Sequence, residues 1–163
     1  MLTQARLREL LTYEPDTGLF WRNVTRASNA RRGSIAGYAG DAYARIRIDG
    51  ELYLAHRLAY LYMTGQWPPD DIDHRNGRTK DNRWENLRPA TRQQNMHNKR
   101  RPMNNSSGIK GVARVKYAHE FWRAEICLNH RTIFLGHYVT REEAALARHI
   151  VEQALFGEFA YQK

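Results

Sequence analysis

The apolar residues at the start of the chain predict a short amphipathic helix. In "TQARLRELLTY", Leu7, Leu10 and Leu11 fall on one helical face. A strand is predicted next, at "GLFW". Farther on, apolar residues and arginines alternate in "ARIRI" (44–48), and Asp49-Gly50 follows, a pair suited to the positive φ angles of a tight hairpin turn. The first fifty residues therefore predict a helix and a hairpin region.

From about Leu54 the apolar period changes to that of a helix, which Gly65 and the prolines after it end. The next thirty residues, "DIDHRNGRTKDNRWENLRPATRQQNMHNKR" (71–100), contain little that could fill a core. They predict a strand at "IDH", a polar loop, a strand at "ENLRPAT", and a helix through "RQQNMHNKR". Thr91 with Gln94 forms a capping box that opens this helix.

The composition of "RRPMNNSSG" is typical of a linker. Three strand-like runs follow, "GIKGVARVKY", "EFWRAEICLNH" and "RTIFLGHYV", and then a helix that opens with a Thr140–Glu143 capping box and ends at Gly157. The fold class predicted is α+β. We expect one module at 1–101 with its core at about 70–100, a linker at 102–107, and a three-stranded antiparallel sheet with a helix at 108–163.

Charge narrows the class of partner. The net charge is +9, and residues 74–116 contain 12 Lys and Arg against 2 Asp and Glu, so this band carries the whole excess. A polyanion such as nucleic acid fits it. An anionic membrane surface fits less well, because the band has no apolar amphipathic face. No membrane span and no signal core is visible, and the lone Cys127 excludes a disulfide within the chain, so we expect a cytoplasmic protein.

The central stretch holds candidate chemistry. Asp73 and Asn95 offer hard oxygen ligands, which suit Mg²⁺ or Mn²⁺ better than zinc. His74 titrates near neutrality and can take a proton from water, and a metal ion with a base suffices for phosphodiester hydrolysis. Adjacent strand residues point to opposite faces, so Asp73 and His74 converge only if the strand ends there. The plain alternative is a structural Asp-His pair, and His56 is interpreted as a packed structural residue.

The pattern "DIDHRNGRTKDNRWENLRPATRQQN" closely resembles the HNH endonuclease motif of phage and intron-encoded homing enzymes. The resemblance implies a strand-strand-helix metal site with His74 as general base and Asp73 and Asn95 as ligands of Mg²⁺ (or Mn²⁺). It implies that Asn86 braces the loop and orients His74 through its carbonyl. Asn95 stands where many relatives have histidine, which implies an oxygen ligand.

Double-stranded DNA is the expected partner, bound by a monomer. Basic residues are expected to hold its backbone near the cut and along the rest of the band. They are Arg75, Arg78, Lys80, Arg83, Arg88, Arg92, Arg100, Lys110, Arg114, Lys116, Arg123 and Arg131.

The C-terminal runs resemble the Apetala/ethylene-response-factor (ERF) type of DNA-binding domain, whose sheet enters the major groove. The resemblance implies that one sheet face turns toward DNA and that Ile126, Ile133 and Leu135 pack on the helix. The DNA-facing set would be Arg114, Lys116, Arg123, Glu125, Thr132 and Phe134. A small sheet-helix domain with a solvated polar face is the alternative.

These observations predict a metal-dependent DNA endonuclease of the homing type, with site recognition by its C-terminal domain. Two other classes stay open. One is a sequence-specific DNA-binding regulator with an inactive nuclease core, and the other is an RNA-binding or structural module.

Overall fold

The computed structural model describes residues 1–39, 42–97, 105–116, 120–129 and 131–160. The chain is a mixture of helices and small antiparallel sheets, and it divides into two compact units, Met1–Asn95 and Met96–Gln162. Within the described ranges, no helix combines the length and apolarity needed to cross a membrane.

The elements up to residue 97 form three small sheets and three helices. The sheets pair β1 with β2, β3 with β4 and β5, and β6 with β7, all antiparallel. The bounds are α1 (Gln4–Leu10), β1 (Leu11–Glu14), β2 (Leu19–Arg22), β3 (Tyr38–Ala39), β4 (Ala44–Ile48), β5 (Glu51–Leu54), α2 (Ala55–Thr64), β6 (Asp71–His74), β7 (Leu87–Ala90) and α3 (Arg92–His97).

The first helix begins where the sequence predicts, with the Thr3 hydroxyl accepting a hydrogen bond from the amide of Arg6. Its end differs from the prediction. Leu11 is extended and pairs with Arg22 in the β1–β2 ladder, where it is buried. Pairing with β2 outweighs the helical period because it also buries this leucine.

The predicted hairpin is confirmed. Asp49 and Gly50 have φ angles of 48° and 90°, as a two-residue turn between β4 and β5 requires. Helix α2 follows directly and ends at Gly65, which is left-handed at φ 79°. One hydrophobic core joins these elements, with Leu7, Leu58 and Leu61 at its centre.

The β6–β7 pair and α3 match the predicted strand, loop, strand and helix. A short 3₁₀ turn, Trp84–Asn86, precedes β7. Thr91 and Gln94 exchange the hydrogen bonds of a capping box at the start of α3. The predicted continuation of this helix to Arg100, and the linker up to 104, lie outside the described residues.

The second unit contains a three-stranded antiparallel sheet, β8 (Val112–Lys116), β9 (Glu120–Leu128) and β10 (Arg131–Tyr138), with β9 in the middle. Helix α4 (Arg141–Phe156) starts with the predicted Thr140–Glu143 capping box and packs on the sheet. It buries Ala144 and an Arg148–Glu152 ion pair against the strands, whereas Leu146 and Ile150 are exposed.

The register of this sheet corrects one prediction. Arg114 pairs with Trp122 and Lys116 with Glu120, so both basic residues lie on the same face as Ala124, the face that α4 covers. The opposite, open face carries Arg123, which pairs with Ala113 and His137. The predicted grouping of Arg114 and Lys116 with Arg123 and Glu125 is therefore wrong, because paired residues share a face.

The apolar face was also predicted only in part. Ile126 is buried and Leu135 packs against the small core of the unit, but Ile133 is 40% exposed. A bulge lies between Phe134 and Gly136, where the pairing shifts by one residue. Ile133 precedes this bulge and pairs with Ile126, so it lies on the predicted face but on the edge strand of the sheet.

Candidate active site

Strand β6 brings its polar residues together at its carboxyl end. The strand ends at His74, and the amide of Gly77 donates to the His74 carbonyl in the turn that follows, at 2.8 Å. The chain therefore turns directly after His74, which is still paired with Leu87 in the β6–β7 ladder. The negative charge of Asp73 acts on the His74 imidazole, favouring its protonated form. The two residues therefore belong to one electrostatic environment.

The His74 imidazole is buried and is held by an amide. Its Nε2 lies 3.1 Å from Oδ1 of Asn82, which is also buried. Because an amide oxygen only accepts, this contact is a hydrogen bond when Nε2 carries the proton. Burial lowers the pKa of His74, against the raising effects of Asn82, Asp73 and Asp81. A buried, neutral imidazole is suited to act as a base.

The side chain of Asn86 spans the loop between β6 and β7. Its Oδ1 accepts from the Asn76 amide at 3.0 Å, and its Nδ2 donates to the Asp81 carbonyl at 2.7 Å. The backbone carbonyl of Asn86 accepts from the amide of Arg75. The resemblance assigns the orientation of His74 to Asn86, which stays a prediction, and Oδ1 of Asn82 is a further contact of the imidazole.

Asp73 forms a buried ion pair with Arg88. The two residues are opposite each other in the β6–β7 register, and both Nε and Nη2 of Arg88 donate to Oδ2 of Asp73, at 2.9 and 2.7 Å. Both side chains are about 95% buried. The prediction that Arg88 holds the DNA backbone is wrong for this arrangement, because its guanidinium is buried against a carboxylate. Instead, Arg88 fixes the orientation of the Asp73 carboxylate.

Asn95, on α3, reaches the same side of β6. Its Nδ2 donates to Oδ2 of Asp71 at 3.3 Å. Asp71 and Asp73 are two residues apart on one strand and so share a face. With Nδ2 turned to Asp71, Oδ1 of Asn95 is the atom suited to bind a cation.

The oxygen atoms of Asp73 and Asn95 fit a hard divalent cation that takes its other ligands from water and substrate. Asp73 and Asn95 supply a carboxylate and an amide oxygen, and Mg²⁺ typically takes one or two protein carboxylates together with water and phosphate oxygens. In the described part of the chain, no group of three or more His, Cys, Asp or Glu side chains could enclose a metal ion.

A second histidine lies against the first. The ring of His56, in the first turn of α2, meets His74 edge-on, with centroids 5.1 Å apart and an interplanar angle of 81°. Tyr43 lies 5.2 Å from His56 and 6.2 Å from His74. Burial, together with the nearby His74 and Arg57, lowers the pKa of His56 to about 3. The expectation of a packed residue is met, but the sequence did not indicate that it packs on His74.

The predicted phosphate contacts differ in their surroundings. In the first unit, Arg78, Lys80 and Arg92 are exposed and Arg75 is half-buried. Arg83 is paired with Asp81 and Glu85, and its guanidinium lowers the pKa of Asp81 to about 2.

In the second unit Arg131 is exposed and Lys110 is half-buried. Arg114 and Lys116 both pair with Glu120, and Arg123 pairs with Glu125. Arg100 lies outside the described residues.

Three residues of the site carried no distinguishing signal in the sequence. Asn82 is one of several asparagines in a polar loop, where turn formation is the usual explanation. His56 lies in a predicted amphipathic helix, and this helix accounts for its burial without any contact with His74. The pairing of Arg88 with Asp73 needs the strand register, since the spacing of 15 residues carries no rule of its own.

Comparison with known proteins points to one class of enzyme. Residues 53–97, which include Asp73, His74, Asn86 and Asn95, match the family model described as HNH endonuclease. A protein of Acanthamoeba polyphaga mimivirus, named as an uncharacterized HNH endonuclease, is 36% identical over 107 residues. The match takes in 64% of this chain, and the chain spans about half (54%) of the length of that relative. No solved structure matches.

Residues 53–97 are thus similar to HNH endonucleases, and the nuclease activity that this similarity suggests is taken up below as a proposal. The family model ends at residue 97 and leaves out the sheet of the second unit, so the Apetala/ERF-like resemblance of residues 108–163 stays a prediction.

Proposed function

We propose that the chain is a metal-dependent DNA endonuclease in which His74 is the general base. The observation that carries the proposal is the buried His74 imidazole, held by Asn82 beside Asp73 within the segment that matches the HNH family. Hydrolysis of a phosphodiester needs a base at the attacking water and positive charge near the phosphate. The first unit offers residues for both.

The protein residues divide the work by chemistry. We assign the proton of the attacking water to Nδ1 of His74, because Nε2 faces Oδ1 of Asn82. Burial keeps the imidazole neutral near pH 7, because its pKa is lowered. Arg88 orients Asp73 and Asn82 orients His74, and neither Arg88 nor Asn82 transfers a proton. Asn86 ties both ends of the loop so that the turn after β6 keeps its shape.

Asp73 and Asn95 are the residues that would hold Mg²⁺ or Mn²⁺. When bound, such a cation neutralises charge that develops on the phosphate and on the leaving oxygen. The role of the protein is to present a carboxylate already oriented by Arg88 and an amide already tied to Asp71.

The wider function is inferred from charge and resemblance. The exposed basic residues around the site, Arg78, Lys80 and Arg92, would contact the backbone of double-stranded DNA. The second module, residues 108–163, would read the site through the open face of its sheet, which carries Arg123. A homing-type enzyme that acts as a monomer in the cytoplasm of a bacterial or phage-infected cell fits this assignment, and one site per chain favours nicking.

A DNA-binding regulator with an inactive core is the second candidate. The Asp73–Arg88 pair favours it, because a carboxylate neutralised by a buried guanidinium attracts a cation less strongly. The complete set of Asp73, His74, Asn86 and Asn95 favours the enzyme.

Purified full-length protein incubated with supercoiled plasmid and Mg²⁺ or Mn²⁺ separates the two candidates. The nuclease predicts nicked circles, loss of cleavage in EDTA, and recovery on adding Mg²⁺. The regulator predicts retarded plasmid that stays supercoiled under every metal condition. Cleavage that persists in EDTA would contradict the metal-dependent mechanism.

A further inference from the structure

Asn82, which contacts His74, is itself hydrogen-bonded by a residue outside the segment that matches the HNH family. Asn82 belongs to the loop before β7, and its backbone lies against the β1–β2 hairpin. The hydroxyl of Tyr13, on β1, donates to the carbonyl oxygen of Asn82 at 2.6 Å. The match to the HNH family begins at residue 53, forty residues after this tyrosine.

Two further contacts join the same two segments. The amide of Trp84 donates to the carbonyl of Pro15, in the turn between β1 and β2, at 2.9 Å. Gly18, in the same turn, has a φ of 74°, and a Cβ there would overlap the backbone between Asn82 and Arg83. The hairpin thus touches residues 82, 83 and 84 in succession, and at Gly18 the fit excludes even a methyl group.

The surroundings of Tyr13 keep its hydroxyl protonated and in place as a hydrogen-bond donor to Asn82. It is 3% exposed, and its ring lies 4.8 Å from Phe20 and 5.8 Å from Tyr62. Burial, with the charge of Asp81, raises the pKa of Tyr13, so the hydroxyl keeps its proton at any working pH. A buried carbonyl needs a donor, and Tyr13 supplies it to Asn82.

We propose that Tyr13 is a positioning residue, which acts through Asn82 to hold the His74 imidazole in the Nε2-protonated tautomer that its role as base requires. The inference rests on the proposed function for its meaning in catalysis. The tautomer of the His74 imidazole can also be measured without any cleavage assay. The β1–β2 hairpin is then part of the active site rather than a separate support of the fold.

A double-mutant cycle tests the route through Asn82. Tyr13→Phe removes only the hydroxyl, and Asn82→Ala removes the amide that contacts His74. In the full-length protein we expect Tyr13→Phe to lower kcat on supercoiled plasmid by about tenfold, the lower range for residues that orient a functional histidine, with KM unchanged. In the Asn82→Ala background the same change should alter kcat less than about twofold, because the two residues act in series.

The tautomer provides the second readout. Long-range ¹H–¹⁵N correlation spectra of the metal-free protein distinguish protonation at Nε2 from protonation at Nδ1. We expect one Nε2-protonated form of His74 in the wild type and a mixture in Tyr13→Phe. Tyr53→Phe is the matched control, a half-buried tyrosine that stacks on Trp67, and it should change neither readout. Should Tyr13→Phe unfold, both readouts are taken for all variants in the presence of TMAO or sucrose, which favour the folded state.

The outcomes separate the two claims. A plasmid that stays uncut by the wild type, together with a disturbed His74 tautomer in Tyr13→Phe, supports the inference and overturns the proposed function. Equal losses of kcat in both backgrounds, or an undisturbed His74 tautomer in Tyr13→Phe, would overturn the inference and leave the function standing.

Discussion

The β6–β7 site of the first unit and the open sheet face of the second unit place their charged residues in opposite ways. Around β6 and β7 the polar groups are buried and each has a defined partner: Asp73 with Arg88, His74 with Asn82, and Asn86 with the loop backbone. On the open face of the second sheet, Arg123 and its partner Glu125 remain about 43% and 34% exposed.

Under the proposed function, the buried polar groups around β6 and β7 carry out the chemistry, and the exposed sheet face recognises DNA. Buried polar groups are costly unless every partner is in place, so the first arrangement tolerates little change and keeps one geometry. Exposed ion pairs contribute little to stability and can exchange a carboxylate for a phosphate. We therefore expect substitutions around β6 and β7 to act on rate and stability, and those on the open face of the second sheet to act on selectivity.

The largest effect is expected at Asp73. Asp73→Asn keeps the shape of the side chain but removes its charge, so cleavage should be abolished while DNA is still bound. The measurement is plasmid cleavage beside a gel-shift titration. Asp70→Asn, an exposed residue just before β6, is the control and should cut normally. Cleavage by Asp73→Asn at the wild-type rate would remove Asp73 from the metal site.

The buried ion pair predicts a large loss of stability. Arg88→Met removes the guanidinium and leaves the Asp73 charge buried, which should lower the free energy of unfolding by about 3–5 kcal/mol. Urea unfolding at pH 7 measures the change. Arg92→Met, at an exposed position on α3, should stay within about 0.5 kcal/mol of the wild type. Equal stability of the two variants would mean that Asp73 is not charged in the folded protein.

Acid should destabilise the first unit through its two buried histidines. The folded-state pKa of both His56 and His74 lies below the ordinary value of 6.5, so the unfolded chain binds more protons than the folded one below that pH. Stability is then fully present above pH 6.5 and is lost as the pH falls, by up to about 1.4 kcal/mol per pH unit for each histidine.

His56→Phe keeps a ring against His74 and should reduce this slope, measured by urea unfolding from pH 7 to pH 5. His149→Phe, at an exposed position on α4, serves as the comparison and should leave the slope unchanged. An unaltered slope in His56→Phe would show that His56 is protonated in the folded state.

Asn95 should have a smaller effect than Asp73, since it supplies a neutral oxygen. Asn95→Ala is expected to raise the Mg²⁺ concentration needed for half-maximal cleavage, whereas Asn95→Asp keeps an oxygen ligand and retains some activity. The measurement is a Mg²⁺ titration of the cleavage rate for each variant. Activity supported by zinc alone would contradict the choice of hard oxygen ligands.

The smallest effect on chemistry is expected from the second unit. A protein that ends near Arg101 should still cut DNA, slowly and with little site preference, because base contacts specify while phosphate contacts position. Binding to target and random duplexes across a salt series measures this, and the log–log slope should flatten by about 0.9 for each DNA phosphate that the shorter protein no longer binds. An unchanged preference in the truncated protein would place sequence reading in the first unit.

Sequence patterns predicted most of the local structure of this chain. The Asp49-Gly50 turn and the capping boxes at Thr91 and Thr140 appear where expected, because each depends on residues only a few positions apart. Two features that depend on long-range pairing did not follow from the pattern. Leu11 leaves the helical period for a strand, and the sheet register moves Arg114 to the covered face.

The same distinction applies to the site. Asp73, His74, Asn86 and Asn95 were found because their spacing resembles a known motif. Asn82, Arg88 and Tyr13 reach the site from loops and strands 8, 15 and 69 residues from their partners. Contacts of this kind arise only when the chain folds, and no local pattern in the sequence marks them.

The central claim is that His74 takes the proton from the attacking water, and a single-turnover rate tests it most directly. Wild type and His74→Ala are each bound to the same DNA at saturating protein, and Mg²⁺ is added to start cleavage. We expect the two proteins to bind DNA with equal affinity. The cleavage rate of His74→Ala should be lower by a factor of about 10² to 10⁴, the usual contribution of a general base. Cleavage by His74→Ala at the wild-type rate would contradict this claim.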